Sequence, residues 1–475
     1  MSHGPGAGTK HRMSATAESR PATILTRIAL YSVLLLPLLL MHAHGVAEVA
    51  IGLADLCFLL RSAATRDWAW LRTRWLWVAG AWWLWLTICS APVPALGLGE
   101  GGPHSFVQAL ATARFLLLAA AMEHWVLRTQ PARLWFYRMV AASAAWIALN
   151  CIVQAISGRN LIGWPRGGEG VLTGPFGFER AGPPMARIVL PAILPPVAAL
   201  LGRPGPTARA GAYALLLGSV LIMVMIGQRM PLVLAVAGLG IVAVLLPRLR
   251  PLVLAAAAAG ALLLVASPVV APNAYYRLVQ KFSAQMEHFA VSPYGQLYAR
   301  ALEIGEHNPI TGLGYDGFGT GCPRPENFRP SFDGTQPDGG GAAICWDHPH
   351  NFYFQALDDG GFIGLALFGA TALAWLLPLG RGLWRDPDPV RVALFAALFV
   401  QLWPVQSTSA FSGMPMGGWF FVLLGWAMAE TRARRSAAVA TGGRASGIAD
   451  QMMIDPLRDQ TPRLADRGFR MMNAV

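Results

Sequence analysis

Apolar runs of near membrane-spanning length follow one another through most of this chain, and no other feature limits its fold so strongly. In order they cover residues 22–41, 45–60, 75–92, 106–127, 134–156, 183–201, 210–228, 230–247, 251–271, 351–378, 389–405 and 416–430. Each approaches the ~20 residues a helix needs to cross a bilayer. Length alone, 475 residues, would suggest roughly two to four soluble domains. Composition overrides that, because 55% hydrophobic against 13% charged residues is too apolar a chain to hide in soluble cores. The expected fold class is an all-α polytopic membrane protein with about 12 transmembrane helices. No repeat of fixed period is visible, which argues against a solenoid or propeller.

The formal net charge of +12 could point to nucleic acid. No basic groove interleaved with aromatics is visible, so a nucleic-acid partner is not expected. Most arginines instead sit in short connections between apolar runs: Arg61, Arg66, Arg72 and Arg74; Arg128, Arg133 and Arg138; Arg203 and Arg209; Arg248 and Arg250; Arg381, Arg385 and Arg391. The alternate connections 42–44, 93–105 and 406–415 carry no Lys or Arg. By the positive-inside bias the basic set is cytoplasmic, with both termini inside. Residues 1–21, rich in Gly, Ser and Ala, are expected to be disordered, and the first apolar run reads as an uncleaved signal anchor. Residues 431–475 read as a disordered cytoplasmic tail.

Two long connections then face outward. Residues 157–182 interrupt the first block of spans, 22–271, and residues 272–350 form a loop large enough to cover a site ahead of the last three spans, 351–430. Within the larger loop, "SPYGQLYARALEIGEHNPI" has the spacing of an amphipathic helix and runs into the glycine-rich "TGLGYDGFGTG". Of five cysteines, Cys57, Cys89 and Cys151 fall in apolar runs and read as small buried hydrophobes. Cys322 and Cys345 share the outward loop, where an oxidising compartment would allow them to pair. Two free thiols are the alternative.

Ionisable groups at a membrane boundary are costly and point to function by default. The outward boundary collects Glu179, Arg180 and Arg187 before the sixth span, Arg229 at the tight junction of the seventh and eighth, and Arg300 and Glu303 in the loop helix. His348, His350 and Asn351 stand at the entry to the tenth span, with Gln355, Asp358 and Asp359 beyond them. An outward arginine is either a snorkelling side chain or a planar fork for phosphate. The stretch "CWDHPHN" supports three readings: a zinc site from Cys345, Asp347, His348 and His350; a structural one, with the histidines capping the helix start or pairing with Asp347; or a histidine general base. Glu48, Asp55 and Arg114 lie inside spans and read as structural ion pairing.

The segments "GPFGFERAG", "GQRMPLVL", "EIGEHNPITGLGYDGF" and "HPHNFYFQALDDGGFIGLALF" resemble the bacterial O-antigen ligase and O-antigen polymerase superfamily. The resemblance runs through the outward half of residues 170–370, with Gly361 eleven residues after His350. It implies a GT-C-like helical fold with one large periplasmic loop in the bacterial inner membrane, and inverting, metal-independent glycosyl transfer without a cofactor. The donor would be a glycan on undecaprenyl pyrophosphate and the acceptor a lipid A-core sugar. His350 would deprotonate the acceptor hydroxyl, and Arg180 and Arg229 would clamp the leaving pyrophosphate. Arg187, Arg300, His348 and Asn351 would line the substrate site. The family's usual Asn-Pro-Asn after the first arginine region is replaced here by "RAGPPMA", which leaves Arg180 and Arg187 as alternatives for the first clamp. A repeat-unit polymerase needs the same donor and base. A transporter or flippase is the reading from another class, disfavoured because the polar groups gather at one face and no inverted repeat is visible.

Overall fold

The computed structural model describes residues 20–177, 179–346, 348–405 and 414–453. The expectation of a disordered start therefore falls almost entirely outside the described residues, as do Asp347 and most of the 406–415 connection. The chain divides into two units, Met1–Thr431 and Arg432–Val475.

Among the described residues the first unit is helical, without a named strand. Its helices are α1 (Arg20–His42), α2 (His44–Thr65), α3 (Arg74–Cys89), α4 (Gly102–Ala111), α5 (Ala113–Ala121), α6 (Gln130–Ser157), α7 (Gly182–Leu201), α8 (Pro206–Ile226), α9 (Arg229–Leu245) and α10 (Arg250–Val270). Short helices α11 (Pro272–Tyr275), α12 (Lys281–Glu287), α13 (Pro293–His307) and α14 (Gly317–Gly321) follow in the long connection, then α15 (Phe352–Gly380), α16 (Pro389–Gln401) and α17 (Met414–Met453). Helix occupies most of each of the twelve apolar segments, with 90–92 and 402–405 lying beyond the ends of α3 and α16. Seven of the described helices are long and apolar enough to cross a membrane, and α9 and α16 are shorter apolar helices. The C-terminal segment departs from expectation, being helical as far as Met453. Its opening "AETRARRSAA" is dominated by strong helix formers, which local propensity favours whatever the polarity.

The helices pack as neighbours in sequence and across it: α1 on α2, α7 on α8 and α16, and α3 on α15. Of the three charges expected to pair inside the spans, Arg114 and Glu48 do so, while the buried Asp55 carboxyl makes no hydrogen bond among the described residues. Arg114 forks onto Glu48, Nε to Oε2 at 2.8 Å and Nη2 to Oε1 at 2.9 Å, joining α5 to α2.

One apolar run is not a single straight helix. At Gly361 the backbone of α15 leaves the helical region (φ 64°, ψ −164°), a conformation open essentially to glycine. Breaking a helix strands backbone groups that must find other partners in an apolar setting. The glycine-rich turn after α13 supplies them. Leu313 N–H donates to the Asp358 carbonyl (2.8 Å), Gly314 N–H to the Asp359 carbonyl (3.1 Å), and Phe362 N–H to the Pro309 carbonyl (2.8 Å). Trp85 Nε1 on α3 donates to the Gly360 carbonyl at 2.9 Å, and the Gly317 N–H reaches Asp359 Oδ1 at 2.8 Å. The first two turns of α15 are thereby fixed to the loop, and with them the residues at its N-terminus.

Candidate functional site

Helix α15 begins at Asn351, whose side-chain oxygen accepts from the N–H groups of Tyr353 (2.8 Å) and Phe354 (3.2 Å). Its amide nitrogen donates to the Pro404 carbonyl at 2.7 Å. Asn351 is 3% exposed, and its side chain caps and anchors the helix.

The residue before the cap is His350, held in the left-handed region at φ 56°. Non-glycine residues adopt it at a cost, and such strain concentrates where a side chain must be aimed. The imidazole meets the His348 ring edge-on at 4.5 Å and the Tyr294 ring of α13 at 5.7 Å. Burial, then the neighbouring His348 and Arg180, push its pKa down to about 4. At neutral pH the ring is therefore uncharged and able to accept a proton.

Arg180 is exposed in the connection before α7, within electrostatic reach of His350. Arg229 opens α9 where Gly227 takes a left-handed turn and Gln228 an extended one. Its guanidinium donates to Gln285 Oε1 of α12 and lies 5.9 Å from the Phe282 ring centre. Arg277, which sequence reasoning passed over, is within electrostatic reach of both clamp candidates. Burial and the charge of Arg180 lower its pKa, Glu169 raises it, and Arg229 lowers it further, so all four groups share one electrostatic neighbourhood. Glu169 bridges Arg277 (3.6 Å) and Lys281 (2.6 Å). A cavity of about 490 Å³ adjoins this group, lined among others by Tyr276, Gln280, Lys281, Gln285 and His288. A signal for Arg277 and Lys281 was present: they lie four apart on a connection read from the sequence as outward, against the usual basic bias.

Two further arginines lie elsewhere. Arg187 is 4% exposed within α7, donating to Gln401 Oε1 of α16 (2.9 Å) and to the Pro183 carbonyl (2.8 Å). Arg300 is 1% exposed, and its guanidinium is taken up by the carbonyls of Cys322, Asp338 and Gly341 while stacking 4.3 Å from the Phe328 ring centre. It organises the loop around the bridge joining Cys322 and Cys345. That bridge also removes Cys345 from any zinc set, and among the described residues no group of three or more His, Cys, Asp or Glu could hold a metal ion.

The arrangement offers a neutral imidazole on a left-handed backbone within electrostatic reach of Arg180, which in turn shares a neighbourhood with Arg277 and Arg229. Residues 213–369 match the family model described as O-antigen ligase, in agreement with the resemblance carried by the motifs. The match takes in Arg229, Arg277, Lys281, the bridge, His348, His350 and the break at Gly361, while Glu169, Arg180 and Arg187 precede it. No curated protein matches the chain significantly.

Proposed function

From the family match, we propose that this chain is a metal-independent, inverting glycosyltransferase of lipopolysaccharide biosynthesis. It moves an O-antigen glycan from undecaprenyl pyrophosphate to a lipid A-core sugar. The observation that carries the reading is His350: a neutral, half-buried histidine in the left-handed region, neighboured by Arg180. In this reading His350 takes the proton of the acceptor hydroxyl. The freed oxygen attacks the anomeric carbon from the face opposite the leaving group, and the bond from that carbon to the phosphate oxygen breaks. Undecaprenyl pyrophosphate departs with the electron pair. Arg180 and Arg229 offset its charge, the part that a divalent ion takes in many sugar-transfer enzymes. Helices of membrane-spanning length support a site near the lipid surface where such a donor resides, and the charge bias of the connections supports the periplasmic side of the inner membrane.

Surface polysaccharide from a deletion strain tests this reading against its nearest rival. Loss of all core-linked glycan supports the ligase. Core carrying a single repeat unit indicates a polymerase acting on the same donor, and an unchanged pattern contradicts both.

A further inference from the structure

Among the cations at the site, Arg277 and Lys281 differ from Arg180 and Arg229 in already holding a carboxylate. Glu169 lies in a short turn, Gly168–Gly170, and adopts a left-handed conformation (φ 57°, ψ 23°). The turn packs on α11. Gly170 takes a left-handed backbone (φ 72°) that favours glycine, and it lies against the Asn273 side chain. Strain and close docking thus combine to hold an acidic side chain against two cations brought from more than a hundred residues away in sequence.

Electrostatics shows why this arrangement is unlike ordinary surface pairing. Arg277 is only 8% exposed, and a guanidinium so buried is costly without a counter-charge. Glu169 supplies that charge, yet keeps 45% of its own side chain exposed, so it can leave without being extracted from a packed core. The Lys281 hydrogen bond, and the charges of Lys281, Arg277 and Arg180, hold the Glu169 carboxyl below the usual carboxylate range. Three cations, Arg180, Arg277 and Lys281, gather around this bridging carboxylate, and Arg229 joins them through its electrostatic reach to Arg277. Even counting the exposed Glu179 beside Arg180, positive charge is in excess, as a site for a multiply charged phosphate requires.

We propose that Arg277 and Lys281 are additional diphosphate-binding residues, and that Glu169 is a built-in stand-in for the diphosphate, displaced when the donor arrives. The inference rests on the donor class proposed above and adds two binding residues and a resident competitor. With the site empty, Glu169 neutralises part of the cluster and keeps Arg277 in place. With a diphosphate present, its oxygens take over both cations and the Gly168–Gly170 turn swings clear. No bond is made or broken in the exchange.

The test measures binding of undecaprenyl pyrophosphate to the purified full chain in detergent, with Glu169→Gln, Lys281→Gln and Arg277→Gln beside the unaltered protein. Glu169→Gln removes the competitor at nearly constant shape and should tighten binding about 3- to 10-fold, while Lys281→Gln should weaken it by about the same factor. Arg277→Gln should weaken it more; if burial prevents that variant from folding, the half-exposed Lys281 carries this arm alone. If Glu169 merely braces the turn, Glu169→Gln will leave affinity unchanged or lower it, and the stand-in is overturned while the donor class stands. If the probe does not bind the unaltered protein, both the donor class and this inference fall.

Discussion

Arg300 on α13 donates to the backbone carbonyl of Cys322, one half of the bridge to Cys345. The two residues tie the loop helix to the loop's covalent closure, and the Asp338 and Gly341 carbonyls complete the set. Arg300→Ala would leave three carbonyls short of a donor in a buried place, at a cost of about 3 kcal/mol. Thermal unfolding in detergent should show the loss, and reduction of the bridge should lower stability by a similar ~3 kcal/mol. If Arg300 instead touched the diphosphate, Arg300→Ala would raise the donor KM with stability unchanged.

Gly361 makes the break in α15, and a Cβ there would stand 2.5 Å from the Ile310 carbonyl. Gly361→Ala combines a forbidden conformation with that clash and should cost about 3 kcal/mol or more. Gly369, on the same helix with nothing within 4 Å of an added Cβ, should accept alanine without loss. Comparing the yields and unfolding temperatures of the two variants checks this.

Much of this architecture is legible in the sequence, and the parts that are not share a cause. Each apolar run contains a helix because composition and spacing are local properties. The Cys322–Cys345 bridge was readable because both cysteines lie on one connection. The break at Gly361 was not, because "GGFIGLALFG" continues an apolar pattern and the break is held by hydrogen bonds from residues some fifty positions earlier. The carbonyls around Arg300 were hidden for a related reason: a charge on an amphipathic helix reveals nothing about which groups surround it. Glu169 acquires meaning only once residues 169 and 277 are brought together.

Arg229 should reveal its role through its shape. Arg229→Lys keeps the charge and loses the planar fork, so the donor KM should rise roughly 10-fold with a smaller change in kcat. Arg187, bonded to Gln401 inside the bundle, should affect stability instead when changed to Gln. Steady-state kinetics paired with unfolding curves separates the two.

The pH profile follows from the direction of the His350 shift. A base must be unprotonated, and a pKa lowered to about 4 leaves it so down to mildly acidic pH. The acid limb of kcat/KM should therefore fall near 4, where an unperturbed histidine would lose activity near about 6.5. Arg180→Gln removes a positive neighbour and should move the limb upward. Bound diphosphate adds negative charge, so the limb of kcat should lie above that of kcat/KM. Profiles of the unaltered protein and Arg180→Gln in lipid nanodiscs measure both shifts.

The central claim is that His350 takes the acceptor's proton. It is tested most directly by glycan transfer with purified His350→Ala, a lipid-linked donor and a lipid A-core acceptor, alongside donor binding by the same preparation. The account predicts a transfer rate lower by about 10²- to 10⁴-fold, with donor affinity within about twofold of the unaltered protein. Transfer within a few-fold of the unaltered rate would contradict it.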